Sequence, residues 1–172
     1  KCYIANVKII KRLESKIDST VKYLYELFDG EYIESVLMKY EHGYTVCIST
    51  QVGCRMGCSF CASGINGLTR SLTASEMLAQ IMMAQKDNNI RVSNVVMMGM
   101  GEPLDNFDNS VRFLKLVSDE NGLNIGLRHI SLSTSGVVSG IKKLKEYNPP
   151  ITLSISLPPP NAHLPPSLMR AH

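Results

Sequence analysis

Three cysteines, Cys54, Cys58 and Cys61, stand within eight residues in the run Gln51-Val-Gly-Cys-Arg-Met-Gly-Cys-Ser-Phe-Cys-Ala62. Thiolates are soft ligands that select zinc, copper(I) or iron–sulfur clusters. Three of them can occupy three irons of a four-iron cluster and leave the fourth iron open to a small molecule. Electron-transfer ferredoxins use four cysteines and close the site. No cysteine follows Cys61, so the pattern points to a cluster that binds and reduces a ligand. The rival is a structural zinc knuckle, with His42 or Cys47 as fourth ligand, although the spacing and flanking glycines match neither usual zinc pattern.

The elements that position this loop follow from hydrophobic period. Val7, Ile10, Leu13, Ile17, Val21 and Leu24 fall at helical spacing, which predicts a helix over residues 6–28 with Asp29-Gly30 as its stop. Alternation over 31–39 and the apolar stretch 44–49, joined by Glu41-His42-Gly43, predict a β-hairpin that feeds the cysteine loop. Thr73-Ala-Ser-Glu76 is a capping box, and Met77, Leu78, Ile81 and Met82 mark the core face of the helix behind it. Strands follow at 92–98, 129–133 and 151–157, with helices at 107–119 and 138–147. Such alternation predicts an α/β fold, a partial parallel (β/α) barrel preceded by a helix and a β-hairpin. Loops at the carboxyl ends of its strands, carrying Cys54, Glu102 and Ser133, would meet on one face. The division expected is an N-terminal helical segment (1–30), a hairpin (31–50), a core (51–157) and a proline-rich tail (158–172). Five of the eight prolines lie between 157 and 166, where no helix can run.

Composition narrows the class. The chain has 172 residues, 44% of them hydrophobic, and a formal net charge of +3. That suffices for a core, predicts no membrane span or secretory leader, and leaves any RNA contact to local patches. Five cysteines with three in one cluster suit metal or redox use in a reducing cytoplasm better than a disulfide framework. Lys8, Lys11, Arg12, Lys16 and Lys22 would form a solvated basic helix face. Arg55 and Arg70 flank the cysteine loop and are candidates for phosphate contact.

The Cys-x3-Cys-x2-Cys spacing resembles the signature of radical S-adenosylmethionine enzymes. Three longer motifs narrow the resemblance: Val46-Cys-Ile-Ser-Thr-Gln-Val-Gly-Cys54, Asn94-Val-Val-Met-Met-Gly-Met-Gly-Glu-Pro-Leu104 and Leu132-Ser-Thr-Ser-Gly-Val-Val138. Together, over about residues 31–157, they resemble the dual-specificity RNA methyltransferases, which methylate adenine C2 in 23S rRNA and in tRNA. The resemblance implies a 4Fe-4S cluster on Cys54, Cys58 and Cys61, and S-adenosylmethionine held by Gly101, Glu102, Ser133, Ser156 and Leu157. It implies Glu34 as proton acceptor and Cys47 as the cysteine that resolves an enzyme–RNA adduct through a disulfide bond. Expected partners are 23S rRNA, tRNA and an external electron donor such as flavodoxin, for a cytoplasmic, monomeric protein without membrane contact.

The implied mechanism methylates a cysteine, abstracts hydrogen from its methyl group with a 5′-deoxyadenosyl radical, and adds the carbon to adenine C2. Two departures bear on it. The methyl-carrying cysteine and a later cofactor-site asparagine have no counterpart, so the chain is expected to be truncated at its C-terminus and incomplete in turnover. The family's Ser-Leu-His-Ala-Pro-Asn reads Ser156-Leu-Pro-Pro-Pro-Asn161 here, and Pro158 lacks the histidine's polar contacts. Alternatives are a relative that methylates adenine C8, against which the Met-Gly-Met-Gly-Glu-Pro wording speaks, and a catalytically incomplete iron–sulfur-binding fragment.

Overall fold

Burial with a period of two governs the N-terminal part. In the computed structural model, which describes residues 7–156, Val21, Tyr23, Tyr25 and Leu27 are buried while the residues between them are not. The chain forms strands β1 (Lys8–Glu14), β2 (Val21–Glu26), β3 (Tyr32–Tyr40) and β4 (Gly43–Cys47), paired antiparallel in sequence. The helix expected over 6–28 is therefore corrected: its described residues form β1 and β2. Ile10, Leu13 and Ile17, three of the positions that suggested a helix, are exposed at 44%, 50% and 99%. The hairpin expected at 31–49 is present as β3 and β4.

From β4 onward the sheet is parallel. A short antiparallel pair, β5 (Gln51–Gly53) and β6 (Leu68–Ser71), brackets the cysteine loop and was not expected from sequence. Then come α1 (Ala74–Asn88), β7 (Val92–Met97), α2 (Phe107–Val117), β8 (Ile130–Thr134), α3 (Val138–Tyr147) and β9 (Thr152–Ile155). The large sheet runs β1-β2-β3-β4-β7-β8-β9, and β4, β7, β8 and β9 pair parallel. Each new parallel strand adds on the same side of the last, so right-handed crossovers put α1, α2 and α3 on one face. That is the winding of a (β/α) barrel, here as an open sheet.

The core lies between that face and the helices. Ile33, Leu37, Val46, Val95, Met97, Ile130 and Leu132 pack with Met77 and Ile81 of α1, Phe113 and Leu114 of α2, and Leu144 of α3. Met82, expected in the core, is 54% exposed. The opposite sheet face, with Val36, Cys47, Val96 and Ser131, lines an open cavity of about 590 Å³.

The capping box predicted for α1 is formed: Glu76 N–H donates to Thr73 Oγ1 (3.3 Å), and Thr73 N–H donates to Glu76 Oε2 (2.8 Å). Arg70 clasps both oxygens of the buried Glu76 carboxylate at 3.1 and 2.8 Å and reaches Asp29 at 2.6 Å. Burial alone pushes the Glu76 carboxyl up, but Arg70 and Thr73 outweigh it and hold the group below its ordinary value. Arg70, expected as a phosphate contact, is thus committed to the fold.

Candidate active site

Where β4 and β7 end, their backbones leave the ladder, and buried peptide groups need other partners. Side-chain amides supply them. Gln80 of α1 accepts from Ser49 N–H (2.8 Å) and donates to Ser49 C=O (2.9 Å). Asn106, before α2, donates to the carbonyls of Thr50 (2.9 Å) and Leu72 (2.7 Å). Ser49 Oγ accepts from Met100 N–H (2.9 Å) and donates to Glu34 C=O (2.6 Å). Segment 48–52 is thereby fixed against the turn after β7, so the chain enters the cysteine loop from a rigid base.

The loop leaves and returns through the β5–β6 pair, with Cys54 N–H donating to Gly67 C=O at 2.9 Å. Cys61 N–H donates to Cys58 C=O at 3.0 Å, which folds the Cys-x2-Cys segment into a turn. Cys54, Cys58 and Cys61 line one cavity of about 310 Å³ together with Gly101, Glu102, Ser133 and Ser156. All three thiols are free. Burial pushes the Cys54 and Cys58 thiols up, and the neighbouring thiols and Glu102 add to the shift. A bound cation reverses that balance and favours thiolates.

The donor set discriminates between metals. Neither His42 nor Cys47 lines this cavity; both lie in the larger cavity on the open sheet face. Among the described residues, no three His, Cys, Asp or Glu side chains converge on a point that could hold one ion. Tetrahedral zinc would need thiolates about 3.8 Å apart, from Zn–S bonds of about 2.3 Å. Three thiols lining one cavity, with neither His42 nor Cys47 beside them, suit a multinuclear cluster in which each sulfur takes its own iron. The residues fit a 4Fe-4S cluster better than a zinc knuckle.

Glu102 forms the facing wall. It is only 3% exposed, and its carboxylate accepts from Leu104 N–H (3.0 Å), Ser135 N–H (2.8 Å) and Ser135 Oγ (3.0 Å). A buried carboxylate with donors on both oxygens is oriented and retains acceptor capacity for one more cationic donor. Before it, Gly101 has φ +94°, and a Cβ there would lie 2.4 Å from the Cβ of Gln51. Only glycine fits this approach. Ser133, on β8, and Ser156, after β9, bring their hydroxyls to 3.3 Å of each other across the cavity.

The other expected residues lie elsewhere. Cys47 is on β4 opposite Val36 of β3, facing the open cavity, and burial raises its thiol pKa. Glu34 is ion-paired to Lys22 at 2.8 Å and borders Ala62, Ser63 and Met100 rather than the three cysteines. Leu157 and the Pro158 departure fall outside the described residues. Arg55, expected near phosphate, pairs with Asp105 at 3.0 Å. Lys8, Lys11, Arg12 and Lys22 lie on strands and Lys16 in the bend between β1 and β2, not on a helix face; Lys8 faces Glu26 (4.0 Å) and Arg12 binds Asp87 (2.9 Å).

Sequence reasoning missed Gln51, Asp105 and Ser135. Ser135 had a signal, since it repeats Ser133 at the strand end; Gln51 and Asp105 had none.

Similarity to known proteins agrees with this geometry. A profile of the radical SAM superfamily matches residues 48–165. A protein of Alkaliphilus oremlandii named probable dual-specificity RNA methyltransferase RlmN is 58% identical over 164 residues, covering 95% of this chain and 48% of the relative. One of the same name from Clostridium novyi is 54% identical over 167 residues, covering 97% and 49%. The crystal structure of a radical SAM methyltransferase from Sphaerobacter thermophilus superposes with a TM-score of 0.86 at 42% identity, over 95% of this chain and 49% of that one. The chain spans about half the length of the curated relatives it matches.

Proposed function

We propose, because this chain belongs to the radical SAM superfamily, that it is the cofactor-binding half of a dual-specificity RNA methyltransferase acting on adenine C2 of 23S rRNA and tRNA. The superfamily's cofactors are a 4Fe-4S cluster and S-adenosylmethionine. When bound, they supply one-electron reductive cleavage of S-adenosylmethionine, chemistry that side chains lack. The observation that carries the reading is one cavity lined by Cys54, Cys58, Cys61, Gly101, Glu102, Ser133 and Ser156.

In this reading Cys54, Cys58 and Cys61 hold three irons. Glu102, oriented by Leu104 and Ser135, receives the cofactor's ammonium, a charge-assisted contact. Gly101 leaves the backbone free to approach it, and the hydroxyls of Ser133 and Ser156, with Leu157, hold the remaining polar and apolar parts. Cys47 forms the disulfide that frees methylated RNA, with a methyl-carrying cysteine in the part of the relatives that this chain does not span. A protonated Cys47 is no nucleophile until a base takes its proton. Glu34 takes the proton from adenine C2 once RNA displaces Lys22 from it. An electron donor such as flavodoxin reduces the cluster, and the protein works in the cytoplasm as a monomer.

Anaerobic reconstitution with iron and sulfide tests the core of this reading. The chain should take up about four irons, with an EPR signal of the reduced cluster that shifts on adding S-adenosylmethionine. No cluster, or a signal indifferent to the cofactor, refutes it. For the product, the chain is joined to the parts of the Alkaliphilus oremlandii relative that it does not span and given 23S rRNA and tRNA fragments. Mass spectrometry of the digested RNA should find 2-methyladenosine; 8-methyladenosine in its place sinks the assignment.

A further inference from the structure

We propose that Gln51 and Asp105, closed by Arg55, form a positioning clamp that sets the cysteine loop in register with the Gly101–Glu102 turn. The clamp rests on the reading above, that the cysteines hold a cluster and Glu102 the cofactor's ammonium. Its role is to fix the spacing between those two groups.

The geometry is continuous from one to the other. Gln51 is fully buried. Its Oε1 accepts from Glu102 N–H at 2.8 Å, and its Nε2 donates to Asp105 Oδ2 at 2.8 Å and Ser71 Oγ at 3.3 Å. The same Asp105 oxygen is ion-paired with Arg55 Nε at 3.0 Å. Arg55 immediately follows the first cysteine, and Asp105 N–H returns to Glu102 C=O at 3.1 Å. One ion pair and two hydrogen bonds thus lead from the residue beside Cys54, through a carboxylate and a buried amide, to the backbone of Glu102. Ser71 ties the same amide to β6, the strand on which the loop returns.

Two features separate this clamp from ordinary fold support. The β5 ladder uses the backbone of Gln51, so an apolar side chain would serve packing without the cost of burying an amide. The Arg55–Asp105 pair sits at the solvent edge, with Arg55 61% exposed at its side chain, where ion pairs add little to stability. Placement is a different matter: reacting groups must be held within about 0.5 Å, by supports outside the ligand shell.

The test uses the whole chain, reconstituted anaerobically, with S-adenosylmethionine affinity read from the cofactor-induced EPR change. Asp105→Ala should weaken binding about tenfold, equivalent to about 1.4 kcal/mol. Iron content should stay at the wild-type value, and the melting temperature of the metal-free chain should fall by only a few degrees, because one buried Gln51 N–H loses its acceptor. Asp105→Asn, whose amide oxygen still accepts from Gln51, should recover binding to within about threefold of wild type, a rescue expected from one retained hydrogen bond. Arg55→Ala, a surface change that keeps the fold, should weaken binding by about threefold, as for one lost partly exposed contact. Wild-type affinity in both Asp105→Ala and Arg55→Ala overturns the clamp. A loss that tracks lower iron content, or a metal-free chain that no longer unfolds cooperatively, overturns it too, since Asp105 would then serve only the fold. A wild-type chain that takes up no cluster instead refutes the functional reading beneath it, and that result shows before any variant is made.

Discussion

Replacing Gly101 by alanine separates backbone strain from collision at the centre of the site. Gly101 has φ +94°, and an added Cβ would lie 2.4 Å from Gln51 Cβ and 2.8 Å from its Cγ and backbone nitrogen. Gly30, in the turn between β2 and β3, is the control: its φ is +84°, yet a Cβ there meets nothing within 4 Å. Both variants incur the left-handed backbone penalty, about 1–2 kcal/mol. Both gain similarly from a stiffer unfolded chain, so that contribution cancels in the comparison. Only Gly101→Ala adds overpacking against a buried side chain that cannot retreat, about 1–3 kcal/mol more. Urea denaturation monitored by circular dichroism should therefore show Gly30→Ala losing about 1–2 kcal/mol and Gly101→Ala about 2–5 kcal/mol. If the two variants unfold within about 0.5 kcal/mol of each other, the steric reasoning is wrong.

Three further outcomes follow from contacts already described. Arg70→Ala should cost about 2–3 kcal/mol in the same assay, below the full value for a buried pair because Arg70 is partly exposed; a loss under about 0.5 kcal/mol refutes the clasp. Because the Glu76 carboxyl is held below its ordinary value when folded, its contribution is complete above the unfolded-state range and fades as pH falls through the lowered value. Wild type and Arg70→Ala should accordingly converge in stability toward acid pH, and a gap unchanged at pH 2–3 would contradict that sign. Ser135→Ala removes one of three donors to Glu102 and should weaken S-adenosylmethionine binding about three- to tenfold with cluster content unchanged; unchanged affinity argues against Glu102 as the ammonium site. Burial lifts the Cys47 thiol above its ordinary 9.0, so its alkylation by iodoacetamide, followed by peptide mass spectrometry, should keep accelerating beyond pH 9. A plateau below pH 8 would show that the sheet face does not desolvate it.

The parallel half of the fold was legible because each of its elements carries a local signal. The α1 capping box, the apolar end of β7 at residues 95–97 and the left-handed Asn148 that ends α3 all act within a few residues. The N-terminal misreading has an equally local cause. Val7, Ile10, Leu13, Ile17, Val21 and Leu24 satisfy a helical period, but Val21, Tyr23, Tyr25 and Leu27 also satisfy a period of two. The second pattern prevails because Tyr23 and Tyr25 reach partners on α1: Tyr23 OH donates to Asp87 (2.8 Å), and Tyr25 OH donates to Gln80 C=O (3.4 Å). Those partners lie more than fifty residues away, beyond any local window. In the site, the three cysteines announce themselves by spacing. Gln51, Asp105 and Ser135 do not, because their roles exist only once loops from β4, β7 and β8 have met.

The β5–β6 pair has a consequence for how metal enters. It ties the cysteine loop shut at its base, so Cys54, Cys58 and Cys61 explore a small volume before any iron arrives. Under the proposed reading, a first sulfur–iron bond would raise the local concentration of the other two thiols, and later bonds would form as intramolecular steps. Three weak monodentate ligands behave as one chelator. Loss of such a cluster would require all three bonds to open within one rebinding time, so slow release would be a property of the closed loop rather than of any single cysteine.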